Sequence, residues 1–450
     1  MIKKPELLAP AGSFEKAKVA FMYGADAVYC GTGELSLRSR SPINEEELAK
    51  IINYAHSIGK RVHVTLNTYA LDDLYEAMEK QIRLLDKLKV DAIIAADGGV
   101  IQLIHDIAPN IEIHISTQAN TLSAHTAKFW QKNGASRVIL SREMNKEDIK
   151  KVIDNIPESL ETEMFIHGAI CWAYSGRCFL SQYMSGRSAN CGDCSQSCRW
   201  KYNVYIEEAN NPGNIMPVEQ DGNGTYVMSS KDLCLINEIP EIIKLGVSSC
   251  KIEGRLKSEY YLASVVNAYR TAIDDYVKDP ENFDSTKYYN ELEKTKTRDI
   301  TDFFFNKKSI DDNVSYDNKQ YNLQYEYGGQ VTKYDPDKSV VRIGNKLLVG
   351  DEMEIIVPGE ITPVKFKIDE MWDVETGENV EFVNPGRAGQ SVLMKLPIEC
   401  KEGYVIRRKK SMPEQKEILS FNEFKEGEYD KLAKLLRENL DMEEIYKILD

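Results

Sequence analysis

Gly24-Ala25-Asp26-Ala27-Val28 ends a helical stretch and begins a strand, and the chain makes the same approach again at Lys89-Val90-Asp91-Ala92-Ile93, Gly134-Ala135-Ser136-Arg137-Val138 and Gly246-Val247-Ser248-Ser249. Each reads as a helix end, a tight turn and then a buried strand. Working outward, short β-branched or apolar runs alternate with longer stretches whose apolar residues recur at three and four. The strands expected are Leu7–Ala11, Ala27–Gly31, Arg61–Asn67, Ala92–Asp97, Glu112–Gln118, Arg137–Glu143, Glu163–Ala169 and Ser249–Arg255. Eight strand–helix units of this kind predict an α/β fold, a TIM-like (β/α)8 barrel. An open doubly wound sheet is the rival, disfavoured because no G-x-G-x-x-G opens the first helix.

In such a barrel the reacting groups gather at the C-terminal ends of the strands. Those ends carry Asn67, Thr68, Asp97, Thr117, Gln118, Arg142, Glu143, His167, Lys251, Glu253 and Arg255. Any one of them reads equally well as a polar cap on the next helix, so the set is more telling than its members. The seventh strand is followed by a loop over 171–229, far longer than the usual connection, with the next helix starting near Ser230-Lys231-Asp232. Residues 1–283 thus form the barrel domain, and 284–322 read as a helical linker. Short alternating strands over 323–411, broken by Asp335-Pro336-Asp337, Pro358-Gly359 and Pro385-Gly386, predict a small antiparallel β-barrel. In 412–450, Leu432, Leu435, Leu436 and Leu440 fall at helical spacing and predict a helical tail.

The 450 residues hold 57 Lys and Arg against 71 Asp and Glu, a net charge of −14. That excludes a uniformly basic nucleic-acid binder and confines any such site to a local patch. The N-terminus shows no apolar signal core and no run is long and apolar enough to span a bilayer, so a cytoplasmic protein without a membrane partner is expected. Five of the nine cysteines lie between 171 and 198. In a reducing compartment such crowding points to metal or redox chemistry. Cys171, Cys178, Cys194 and Cys198 are spaced C-x6-C-x15-C-x3-C, and Cys191 adds a C-x2-C with Cys194. Four thiolates suit zinc or a 4Fe–4S cluster, and spacing alone does not separate the two. The apolar and aromatic company of Trp172, Tyr174, Phe179 and Leu180 favours the shielded cluster, with zinc the lesser alternative and free thiols a third. Cys30 and Cys250 sit in expected strands as core residues, Cys234 is a spare at the start of the seventh helix, and Cys400 is remote.

The run from Glu163 through Phe165, Gly168, Ala169, Cys171, Gly176, Cys178 and Leu180 to Ser181 resembles, at every fixed position, the signature of the collagenase-like peptidases of family U-32. Leu8-Ala9-Pro10-Ala11-Gly12, Ser116-Thr117-Gln118-Ala119, Cys198-Arg199-Trp200 and Lys251-Ile252-Glu253-Gly254-Arg255 are similar to the same family, so the likeness covers about residues 5–410. Ser36-Leu37-Arg38, Arg40 and the appended β-domain resemble a branch of that family linked to the 5-hydroxylation of wobble uridine in tRNA. This resemblance implies an oxygen-independent, prephenate-dependent route and a 4Fe–4S cluster on Cys171, Cys178, Cys194 and Cys198. It leaves Cys191 dispensable and Cys234 the substitute should Cys198 not serve. It leaves the electron donor and any paralogous partner open.

A dianionic organic acid such as prephenate needs paired cations, for which Arg142, Lys251 and Arg255 are candidates. His167 is either a proton donor and acceptor or a structural histidine, and Glu143 and Glu253 are expected to orient the arginines. For RNA, the candidates are Arg38, Arg40, Arg177, Arg187, Arg199, Trp200 and Lys201, with the Arg407-Arg408-Lys409-Lys410 run either a contact or a solvated strand end. The competing classes are a metal- or thiol-dependent peptidase, although none of the six histidines lies in H-E-x-x-H, and a scaffold with a structural cluster.

Overall fold

The computed structural model describes residues 2–32, 35, 43–171, 173, 177–200, 205–207, 215–217, 231–295, 298–306, 325–385 and 390–410. Arg38, Arg40, Lys201, Trp172, Tyr174 and the expected tail 412–450 lie outside them.

The eight expected strands are present. They are β1 (Glu6–Pro10), β2 (Ala27–Gly31), β3 (Arg61–Leu66), β4 (Ala92–Ala95), β5 (Glu112–Ile115), β6 (Ala135–Ile139), β7 (Glu161–Ala169) and, later in the chain, Ser249–Ile252. Helices α1 (Phe14–Met22) to α6 (Lys146–Asp154) alternate with the first seven. Each strand pairs in parallel with the next, and Ser249–Ile252 pairs with both β7 and β1, closing the ring. The recurring approach sequence has a physical cause. Asp26 Oδ2, just before β2, accepts the N–H of Leu7 on β1 at 3.0 Å, and Asp91 Oδ2, just before β4, accepts that of Val62 on β3 at 2.7 Å. Ser248 does the same for Thr162 on β7 at 3.4 Å. The residue before one strand therefore fastens the start of its neighbour. Gly24 takes φ +105°, and a Cβ there would lie 2.3 Å from Arg270 Cγ, so only glycine fits that turn.

After β7 come α7 (Leu180–Ser185) and then β8 (Asp232–Cys234), which pairs antiparallel with the overhanging end of β7, Cys234 opposite His167. This corrects the expected helix start near Ser230 and with it Cys234 as a helix residue. The next helix, α8 (Ile239–Leu245), starts where Pro240 presets φ in the first turn, and the apolar run before it fills the free edge of the long β7 instead. The closing barrel strand Ser249–Ile252 is β9, followed by α9 (Glu259–Lys278) and α10 (Thr286–Glu293), the helical part of the expected linker.

The C-terminal domain is antiparallel, as expected, with seven strands in one sheet. Its outer strands Val364–Lys367 and Met371–Asp373 do not pair with each other among the described residues, so the expected small barrel is not a closed ring. A polar joint ties this domain to the (β/α)8 barrel. Tyr23 donates to Ile356 O at 2.8 Å and accepts from Val405 N at 2.9 Å. Asn267 donates to Glu360 O at 2.7 Å and accepts from Gly359 N at 2.8 Å. Arg407 is fully buried and holds Glu291 and Glu354, with the Tyr325 ring 4.8 Å away, while Arg408 pairs with Glu326 and Asp351. The basic run, read as an RNA contact or a solvated strand end, is neither at its first two residues: Arg407 spends its charge in the domain joint and Arg408 within the C-terminal domain.

Residues 198–229, 315–320 and 411–450 make a second unit. Its described part comprises Cys198, Arg199, Trp200 and a ribbon of Tyr205–Glu207 against Ile215–Pro217.

Candidate functional site

Polar residues at every second position of otherwise buried strands point into the barrel: Arg61, His63 and Thr65 on β3, Glu112 and His114 on β5, Arg137 on β6, Glu161 and Glu163 on β7, and Lys251 on β9. This period-two signal was available in the sequence and marks an interior network that the strand-end reading missed. Glu163, wholly buried, accepts Lys251 Nζ at 2.8 Å and Arg137 Nη1 at 3.1 Å. Burial pushes the Glu163 carboxyl up, but the two cations outweigh it and hold it down to about 2. Arg137 also binds Glu6 at 2.6 Å and Glu161 at 2.6 Å, closing the N-terminal end of the barrel.

His63 and His114 stack edge-on with centroids 4.7 Å apart, and His114 Nε2 lies 3.2 Å from Glu112 Oε2. Among the described residues, His63, His114 and Glu163 are the only three such groups whose ligand atoms lie within 4.8 Å of one another. The Glu163 oxygens are already taken by Lys251 and Arg137, so the trio reads as barrel filling.

Burial lowers the pKa of His63, His114 and His167, the last to about 3. Unfolded, each would bind a proton near pH 6.5, so between that value and the folded values the unfolded state holds more protons. Stability should therefore fall as the pH drops below about 6.5, by up to about 1.4 kcal/mol per pH unit for each histidine. Melting temperatures at about pH 7.5 and about pH 5.5 check this, and equal values would contradict it.

At the mouth, the Phe165 ring is flanked by two cations, Arg142 at 5.1 Å and Lys251 at 5.5 Å. Arg142 also reaches Ala169 O at 3.5 Å, and buried Arg255 donates to Thr65 Oγ1 at 3.2 Å. Burial presses the Lys251 pKa down against the pull of Glu163, and the nearby Arg137 and Arg255 add to the lowering. The structure therefore brings Arg142, Lys251 and Arg255 to one end of the barrel interior, with Lys251 committed to Glu163. Glu143 accepts the Ser141 hydroxyl, and the Glu253 backbone oxygen accepts Tyr261 at 2.7 Å. Asp97 is a helix cap, accepting Gly99 N at 2.8 Å.

His167 faces α9. Its ring lies 5.5 Å from Tyr269 and 5.9 Å from Tyr261, with Tyr269 Oη 3.4 Å from Nδ1. A register shift between Lys251 and Ile252, where β9 passes from Phe165 to His167, turns it away from the interior. Gly168 beside it takes φ +110° and a Cβ there would lie 2.5 Å from Glu253 O, so β7 and β9 meet too closely for any other residue. Of the two readings left open for His167, this placement supports the structural one.

The cysteine loop is pinned by its own hydrogen bonds. Asn190 accepts Cys178 N at 2.9 Å, Ser181 accepts Ser195 N at 2.9 Å and donates to Arg187 O at 2.7 Å, and Arg187 Nε bonds Asp193 at 3.0 Å. Arg177 reaches Gln118 O beyond the C-terminal end of β5 at 3.3 Å, which holds the loop on the mouth side. Cys171 and Cys178 are half-buried and Cys194 is exposed, all as free thiols, and Cys194 Sγ accepts Gln196 N at 3.4 Å. Cys198 is half-buried at the start of the second unit. A set of thiols with a backbone N–H directed at sulfur fits an iron–sulfur cluster in donor chemistry. Burial instead pushes the thiols of Cys30 and Cys250 up to about 12 and those of Cys234 and Cys400 up to about 11, which keeps them protonated near neutral pH. Cys234 beside neutral His167 is the reverse of the thiolate–imidazolium pair a thiol peptidase needs.

Residues 12–314 match the Peptidase family U32 model, and residues 324–407 match the Peptidase family U32 C-terminal domain. The chain belongs to the U32 peptidase family. Among its relatives in U32, tRNA hydroxylation protein P of Escherichia coli is 36% identical over 447 residues, spanning 90% of this chain and 96% of that protein. In Bacillus subtilis, tRNA hydroxylation protein P1 is 39% identical over 380 residues, 84% of this chain and 89% of the relative. A U32 relative named collagenase, from Porphyromonas gingivalis, is 30% identical over 390 residues, 83% of this chain and 91% of its own length.

Proposed function

We propose that this U32 protein hydroxylates RNA, and that its substrate is the wobble uridine of tRNA, converted at carbon 5 by a prephenate-dependent, oxygen-independent reaction. One observation carries the reading: likeness at 36% and 39% identity, running through most of both chains, to two bacterial proteins named for tRNA hydroxylation. The thiol chemistry adds to it, since burial keeps the Cys234 thiol and the His167 ring neutral where a thiol peptidase needs an ionised pair.

In this reading Cys171, Cys178, Cys194 and Cys198 hold a 4Fe–4S cluster, which supplies one-electron transfer when bound. Arg142 and Arg255 receive a dicarboxylate at the mouth, and Lys251, fixed on Glu163, adds positive potential beneath it. Phe165 and Tyr29 line the floor between these cations and keep water from the charged pair below. Deleting the gene should remove 5-hydroxyuridine derivatives from tRNA, read by mass spectrometry of digested nucleosides. Unchanged nucleosides would overturn the proposal, and loss of a defined peptide cleavage instead would favour the peptidase class.

A further inference from the structure

We propose that Phe179 and Tyr183 form a platform on which unpaired bases of the substrate RNA loop stack. The inference rests on the RNA reading above and adds the surface that grips the loop. Phe179 is 73% exposed and Tyr183 86%, the most exposed large apolar side chains among the described residues. Tyr183 N donates to Phe179 O at 2.9 Å, so the two rings are one helical turn apart on the same side of α7. Exposed rings of this size sacrifice a large burial gain unless something covers them, which marks them as a contact surface.

Three observations select an unpaired nucleobase as the occupant. Residues 171–200 hold Arg177, Arg187 and Arg199 against Asp193 alone, 3 − 1 = +2, in a chain whose net charge is −14. Phosphate therefore meets attraction here and repulsion over most of the surface. The same thirty residues contain five aromatics, Trp172, Tyr174, Phe179, Tyr183 and Trp200, where aromatics are 9% of the chain. Aromatic faces stack any base, whereas a protein-binding helix face would use aliphatic residues at least as readily. Finally, the rings stand on a segment held by Ser181, whose Oγ bonds both Ser195 N and Arg187 O, so little ordering cost remains for binding. A paired stem offers no open base face, so the platform takes loop bases.

The test measures binding of an anticodon stem-loop RNA and of a fully paired duplex to the full-length protein and its variants. Phe179→Ala and Tyr183→Ala should each weaken stem-loop binding by about 5- to 150-fold, the effect of losing one stacked base. Duplex binding, melting temperature and the salt dependence of stem-loop binding should stay at wild-type values, and Tyr183→Trp should restore affinity. Arg177→Ala should instead reduce the salt slope by about one, as loss of a phosphate contact does. Unchanged stem-loop affinity in the Phe179→Ala/Tyr183→Ala double variant, with wild-type binding intact, overturns the platform and leaves tRNA hydroxylation standing. Wild-type protein that binds no stem-loop, from cells whose tRNA keeps its 5-hydroxyuridine derivatives after gene deletion, overturns both. A wild-type dimer lost in the double variant shows a contact between copies of this chain and also overturns the platform.

Discussion

Cys178→Ser is expected to strip the protein of iron and to lower tRNA hydroxylation by more than about 100-fold, beyond what loss of an outer-sphere partner of a metal centre costs. A serine hydroxyl stays protonated where a thiol ionises, so a four-sulfur set with one member replaced loses the charge and softness that hold iron. Cys178 suits the test because its backbone is fastened by Asn190 and its side chain is half-buried, so the substitution changes the donor and little of the loop. The same change at Cys171 should act alike, whereas Cys191→Ser should keep its iron. Wild-type protein purified without oxygen should carry about four iron and four sulfide per chain. A Cys178→Ser protein with full iron content, or a colourless wild type with one zinc, would sink the ligand assignment.

The second large effect is expected at Arg137. Replacing it with methionine removes the guanidinium that bonds Glu6, Glu161 and Glu163 together and leaves the buried Glu163 carboxylate with Lys251 as its remaining cation among the described residues. Breaking a buried ion network by deleting one partner costs roughly 3–5 kcal/mol, because the orphaned charges stay out of water. Denaturant unfolding of Arg137→Met should show a loss of that size, and adding Glu163→Gln should recover part of it, since the two positions share one network. A loss below about 1 kcal/mol would mean that water or a rearranged Lys251 satisfies Glu163 without Arg137.

The barrel was legible because its strands are largely buried and four of them follow the same turn, with Asp26, Asp91 and Ser248 repeating one hydrogen bond. The cysteine loop was legible from spacing and length. Three things were not. The side on which His167 lies depends on one register shift, which a period of two does not reveal. Strand β8 depends on a free edge at the end of β7, visible only once β7 is seen to outrun its neighbours. The basic run at Arg407 showed its charge but not the partners Glu291 and Glu354, which lie 116 and 53 residues away along the chain. Conversely, the alternation Glu112-Ile113-His114 and Glu161-Thr162-Glu163 did carry the interior network and was open to reading.

The joint between the two domains also sets a timetable. Synthesis runs from the N-terminus, so Tyr23 is made long before Val405, and Glu291 long before Arg407. Until the last strand of the C-terminal sheet leaves the ribosome, Glu291 of the nascent chain has Lys294 but not Arg407, and Tyr23 lacks the Val405 N–H, on the face that this strand will cover. The finished protein is thus sealed by the last strand of its C-terminal sheet, and a chain cut before that strand announces itself by the open face.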